Sequence, residues 1–162
     1  MILDPKLHMR AQGAREIVRT RDFAAPRALV FEAFTKPELL RQWLGVFDGW
    51  KLDVCEIDLR VDGTYRWVWR NAKRATAMGA GGVYREIVPN ERIVATERYD
   101  DAWYPGDAIV TTAFAERSFG TALTMTLLYE SKEVRDGVLA SPAESGVAAG
   151  FDVLAELLRT LK

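Results

Sequence analysis

The chain is poor in the residues on which most metal sites and many catalytic sites depend. Of its 162 residues, one is cysteine, Cys55, and one is histidine, His8. A single cysteine excludes an intramolecular disulfide and any thiolate metal cluster, and suits a reducing compartment. A single histidine excludes a zinc site built from several imidazoles and makes any Ser-His-Asp or Cys-His arrangement depend on His8, which reads as a solvated residue of the N-terminal segment. HExxH, CxxC, G-x-S-x-G and the phosphate-loop pattern are absent, and "GAGG" at 79–82 precedes a strand with no Lys-Ser/Thr behind it. No cofactor or metal is expected. An excess of one charge is also lacking: 22 basic residues face 23 acidic ones, for a net charge of −1. No general field draws in nucleic acid or anionic lipid. No apolar run approaches the ~18 residues that span a bilayer, and the start lacks a secretory leader pattern, so the expected location is cytoplasmic without membrane insertion.

What is present is a long series of strand-like runs between helical ends. Residues 1–14 read as a loosely attached lead-in, and 15–162 as one domain. "REIVRTRDF" (15–23) is a strand that stops before Pro26, and "APRALVFEAFT" and "KPELLRQWLG" are two short helices, the second with Pro37 in its first turn and Gly45 beyond its end. From Trp50 to Ser131, turn residues at Asp62-Gly63, Pro89-Asn90, Pro105-Gly106 and Phe119-Gly120 divide an antiparallel meander of five or six strands. "SKEVRDGVLA" is a short helix or turn. The last helix has Ser141 as N-cap, Pro142 as first helical residue and Glu144 closing a capping box. Its stripe is Val147, Phe151, Leu154, Leu158 and Leu161. Gly146 and Gly150 within it imply close packing by the sheet or by Trp43. The fold class is α+β: a curved antiparallel sheet of about six or seven strands wrapped around a long C-terminal helix, with two short helices after the first strand.

Aromatic residues are the strongest signal. In "GTYRWVWR" (63–70), Tyr65, Trp67 and Trp69 fall at every second position and therefore on one face of a strand. Buried Trp and Tyr need hydrogen-bond partners, so an apolar element or a cavity lies across them. With Trp43, Trp50, Tyr84, Tyr99, Trp103 and Phe114 they supply what lines small-ligand pockets. Phe151 and Leu154 would face them from the last helix, and "DDAWYPGD" (100–107) would form a lip. The acidic candidates on strands are Glu56, Asp58, Glu86 and Glu97. Cys55 and Ile57 are expected inward, turning Glu56 and Asp58 outward, and alternation puts Glu86 on the face of Tyr84.

The segments "FAAPRALVFEAFTKPELLRQWLG", "CEIDLRVDGTYRW", "GGVYREIVPNERIVATERYDD" and "SKEVRDGVLASPAESGVAAGFDVLAELL" resemble the START-like, or SRPBCC, superfamily. They are most similar to bacterial stand-alone domains named after the activator of the heat-shock-protein-90 ATPase. The resemblance runs from about Ile17 to Leu158. It implies the helix-grip fold with an apolar cavity between sheet and terminal helix, and chemistry that varies widely. In eukaryotic activators it covers only the C-terminal part, so stimulation of the chaperone is not expected to carry across. The expected activity is therefore binding of an apolar or aromatic small molecule as a carrier or sensor. Trp43, Tyr65, Trp67, Trp69, Tyr84, Glu86, Tyr99, Trp103, Phe114, Phe151 and Leu154 are the expected contacts. The alternatives are a chaperone-interacting module and a cyclase- or hydrolase-type enzyme using a cavity carboxylate. A homodimer is compatible with the sequence.

Overall fold

The computed structural model describes residues 2–161, without the side chains of Ala143 and Glu144. Its elements are β1 (His8–Gln12), β2 (Glu16–Phe23), α1 (Arg27–Thr35), α2 (Pro37–Leu40), β3 (Trp50–Ile57), β4 (Thr64–Asn71), β5 (Thr76–Val88), β6 (Arg92–Tyr99), β7 (Ala108–Arg117), β8 (Gly120–Leu128), α3 (Lys132–Leu139) and α4 (Ala143–Thr160). The strands form one antiparallel eight-stranded sheet in the order β1-β2-β8-β7-β6-β5-β4-β3. The meander supplies six of them, as expected. The additional strand is β1: the lead-in is not loose between His8 and Gln12 but pairs with β2, Arg10 lying opposite Val18. Arg135 of α3, itself buried, fastens this hairpin by donating to the carbonyls of Gly13 and Glu16 at 3.2 and 2.9 Å.

The inner face of the sheet carries the core. Phe23, Leu123, Phe114, Ile93, Ala95, Tyr84, Tyr65 and Trp69 pack there against Phe151, Leu154 and Leu158 of α4. The α4 stripe is thus the expected one. Its start is not: the cap is Pro142, with no side-chain bond to the helix, and the Ser141 hydroxyl donates to the Val138 carbonyl at the end of α3. The reach of α3 down to Ala140 leaves Ser141 finishing one helix rather than opening the next. The Glu144 part of the capping box lies outside the described side chains. Ser131 instead caps α3, accepting from the Val134 N–H.

Glycine placement explains two close approaches. A side chain at Gly150 would meet the Trp43 carbonyl oxygen at 3.2 Å, and one at Gly146 the Phe47 ring at 2.8 Å, so α4 lies tightly on the segment after α2. Gly45 adopts φ 68°, which ends that segment and leaves room for the Trp69 indole, whose N–H donates to the Leu44 carbonyl at 3.0 Å.

Two register shifts bend the sheet, one between Leu52 and Val54 and one between Tyr84 and Glu86. The first places Leu52 and Cys55 inward, with Glu56 and Asp58 exposed, as expected for the outer pair. The second overturns the alternation assigned to Glu86. Arg85 and Glu86 together span the outer side, so Tyr84 and Ile87 face the core while Glu86 pairs with Arg92 on the outer face.

Candidate functional site

The rings expected to line one site fall into two groups. Trp43, Phe114 and Phe151 join Phe23, Phe31 and Phe34 in a solid cluster near α1. Its ring centroids lie 4.9 to 5.9 Å apart for Phe34–Trp43, Phe31–Phe114, Trp43–Phe151 and Phe23–Phe151. The Trp43 indole N–H donates to the Ala33 carbonyl at 2.9 Å, and Leu154 is fully buried beside these rings. These residues hold α1 and α4 on the sheet.

The second group lies on β4, β5 and β6. Tyr65 and Trp67 meet at 4.6 Å, Tyr65 and Tyr84 at 5.4 Å, Trp67 and Trp69 at 5.9 Å, and Trp69 and Tyr99 at 6.5 Å with ring planes 23° apart. Tyr65, Trp69 and Tyr84 are buried, whereas Trp67 and Tyr99 keep partial exposure. The Tyr65 hydroxyl donates to the Thr96 carbonyl at 2.6 Å across the space left by Gly82. The indole N–H of Trp67 is buried with no partner among the described residues.

Small residues separate these rings. Ala80 stands between Trp67 and Tyr99 in the ladder, Ala95 lies opposite Tyr84, and Ala108 lies opposite Glu97. Glu97 and Tyr99, two residues apart on β6, therefore project from the same inner face. Arg19, next to Met125 on β8, projects from the same inner face three strands away, and both keep partial exposure. Glu97 is half-buried, and among the described residues its carboxylate has neither a hydrogen bond nor an ion pair. Burial pushes its pKa above the ordinary carboxylate range, against the opposing pull of Arg19. The charge of Glu97, followed by burial, raises the phenol of Tyr99; burial and then Glu97 raise Tyr65 and Tyr104. All three phenols thus lie in the field of this carboxylate.

Beside this set, the loop 100–107 packs on α3. Trp103 is 64% exposed, but its indole edge covers Gly137, where any side chain would collide with it. Tyr104 bridges the loop to the buried Tyr129, 5.9 Å away. Two grooves lie elsewhere: one of about 490 Å³ between Ala24–Leu29 and the end of α4, and one of about 440 Å³ on the outer face over Gly81 between Arg66 and Arg98. The charges of the second are partly spent, since Arg66 holds Asp100 in a two-pronged pair and Arg98 holds Asp107. Among the described residues, no group of three or more His, Cys, Asp or Glu is placed to hold a metal ion, and no helix is long and apolar enough to cross a membrane.

The site residue that the sequence reasoning left unassigned is Glu97. It stood among four strand carboxylates, and the signal that singles it out is its spacing of two from Tyr99 within a strand free of register shifts over Arg92–Tyr99.

A curved antiparallel sheet with two short helices after a strand and a long helix across its inner face is the helix-grip architecture of START-like proteins. The chain belongs to the family described as Activator of Hsp90 ATPase homolog 1-like protein, whose model matches residues 24–159. A crystal structure of a protein from Rhodobacter sphaeroides superposes with a TM-score of 0.89 at 27% identity, covering 96% of this chain and 99% of that one. One from Chromobacterium violaceum is 32% identical, with a TM-score of 0.70 over 89% of this chain and 97% of the other. The solution structure of an AHSA1-like protein from Aeromonas hydrophila shares the fold at 17% identity and a TM-score of 0.72, covering 88% and 94% of the two chains. No curated protein matches the sequence.

Proposed function

We propose that this protein binds an apolar or aromatic small molecule between the inner sheet face and α4, as a carrier or sensor. The observation that carries the reading is the half-exposed belt of Trp67, Glu97, Tyr99, Arg19 and Met125. The small side chains of Ala80, Ala95 and Ala108 behind it are themselves buried, so binding would require the partly exposed side chains of the belt to move aside. Affinity would come from apolar area removed from water, at roughly 25 cal/mol per Å² less the cost of ordering. Tyr65, Trp69 and Tyr84 would form the floor, with Trp67 and Tyr99 in direct contact. Trp103 would act at the rim through its loop, while Trp43, Phe114, Phe151 and Leu154 would fix the wall.

A second reading, an acid-base enzyme using a carboxylate of the inner face, draws on the raised Glu97 carboxyl, since Glu86 is turned outward to Arg92. The carrier reading is preferred because the nearby hydroxyls belong to tyrosines whose pKa values are pushed upward, which makes them weak proton donors at neutral pH.

The test uses the neutral dye N-phenyl-naphthylamine, titrated into the full chain and followed by dye emission. Saturable enhancement at micromolar dye is expected, with Trp67→Ala weakening it several-fold while circular dichroism stays unchanged. No enhancement, together with no co-purifying small molecule in native mass spectrometry of protein from its own host, would rule the reading out.

A further inference from the structure

Resting on that reading, we infer that Tyr104 is a built-in plug: its ring occupies the inner-face place that a ligand takes beside Ala108, Val110 and Met125, and binding draws the loop 100–107 outward as Trp103 leaves its seat on Gly137. The place is closed in this structure, and Tyr104 is part of what closes it. The ring packs against the buried cluster of Ile17, Ala108, Leu127, Tyr129 and Val134, alongside the partly buried Val110 and Met125. It meets Tyr129 edge to face at 5.9 Å and lies in the field of Glu97, which sets it on the Glu97–Met125 side of the belt. Withdrawing this one ring uncovers apolar wall. Ala80 and Ala95 belong to the other cluster and stay covered.

The loop is tied at its ends and loose in its middle. It exceeds the roughly 2–5 residues of a usual hairpin connection. Arg66 grips Asp100 in a two-pronged pair, and Arg98 donates to Asp107 at 2.6 Å. Between these posts, no backbone hydrogen bond reaches 103–106 among the described residues, so packing holds that stretch. Gly106, at φ 74°, supplies a turn that other residues rarely adopt where the chain enters β7.

Trp103 is the latch. It is 64% exposed, yet its indole edge covers Gly137 so closely that any side chain there would collide with it. Glycine inside a helix such as α3 weakens it, and here the bare position seats the ring. The Trp103 and Tyr104 rings meet edge to face at 5.0 Å, so lifting the first carries the second outward. A ligand that displaces the plug binds with an affinity reduced by the fraction of molecules whose loop is out.

The test titrates N-phenyl-naphthylamine into the full chain and its variants and follows amide exchange of the loop by mass spectrometry. Tyr104→Ala is expected to bind the dye at least about fivefold more tightly than wild type, because the plug is gone. Tyr104→Phe, which keeps the ring, should give at most a small part of that gain. Gly137→Ala unseats Trp103 while favouring α3, and should tighten binding about two- to threefold with no fall in melting temperature, so that unfolding cannot be the cause. Saturating dye should speed amide exchange within 100–107 of the wild-type chain. Equal affinity in wild type and Tyr104→Ala, weaker binding by Tyr104→Ala, an equal gain from Tyr104→Phe, or dye that slows exchange in the loop would overturn the plug while leaving apolar binding intact. Binding by none of the chains, Tyr104→Ala included, would overturn the binding reading and the plug together.

Discussion

Near α1, Phe23, Phe31, Phe34, Trp43, Phe114 and Phe151 pack ring against ring, edge to face or tilted, and all but Phe34 are buried; under β4–β6, Trp67 and Tyr99 stand on either side of an alanine and are partly exposed. Both ends of the inner face are aromatic, yet they differ in what accompanies the rings. At the packed end, the partners are other rings and aliphatic groups from α1 and α4. At the other end, they are alanines, a glycine, a lone carboxylate and tyrosine hydroxyls. Ring content alone thus says little about where a molecule could enter. The size of the residues between the rings, and the polar groups they leave unmatched, say more.

The sharpest way to break this contrast is to truncate one residue at each end. Phe151→Ala should lower unfolding stability by about 3–5 kcal/mol, because its ring contacts Phe23, Phe34 and Trp43 in an interior that cannot collapse around the gap. Urea unfolding followed by circular dichroism measures this. A loss below about 1 kcal/mol would mean that this end is not the packed one.

Glu97→Gln tests the open end and should stabilise by about 1 kcal/mol at neutral pH. The sign follows from the raised carboxyl: the folded state holds its proton to higher pH than the unfolded state, so wild-type stability falls as pH rises through the folded pKa. The glutamine variant lacks that slope. The advantage of Gln should therefore shrink as pH is lowered below the ordinary Glu range, and thermal melts at a series of pH values would show it. An advantage that is independent of pH would refute burial of the charge as its cause.

The smallest effect is expected for Trp67→Phe, within about 1 kcal/mol of wild type, since it removes an indole N–H that has no partner among the described residues while keeping an aromatic body. A large loss would show that the N–H has an unseen partner. Dye binding should fall in this variant even though stability does not.

Much of this contrast was legible in the sequence. Alternation placed Tyr65, Trp67 and Trp69 on one face, the 3–4 spacing of Phe151, Leu154 and Leu158 named the helix face that covers the core, and turn residues divided the meander. Glu86 was misplaced because parity arguments assume an unbroken ladder, and the shift after Tyr84 breaks it. β1 was missed because "HMRAQ" has mixed polarity and its residues are mostly exposed, so only pairing with β2 reveals it. Gathering Glu97 with Arg19 depended on curvature bringing β6 toward β2, which no local pattern encodes.

The irregularity at Arg85 has a consequence for how insertions and deletions would be tolerated. Tyr84 and Ile87 face inward with two residues between them, where a regular strand needs one. Excising Arg85 would preserve the sidedness of every neighbouring side chain and yield an ordinary straight ladder. The surplus residue is thus a hinge in the ribbon's shape, and shortening the chain there would flatten the wall while leaving its chemistry unchanged.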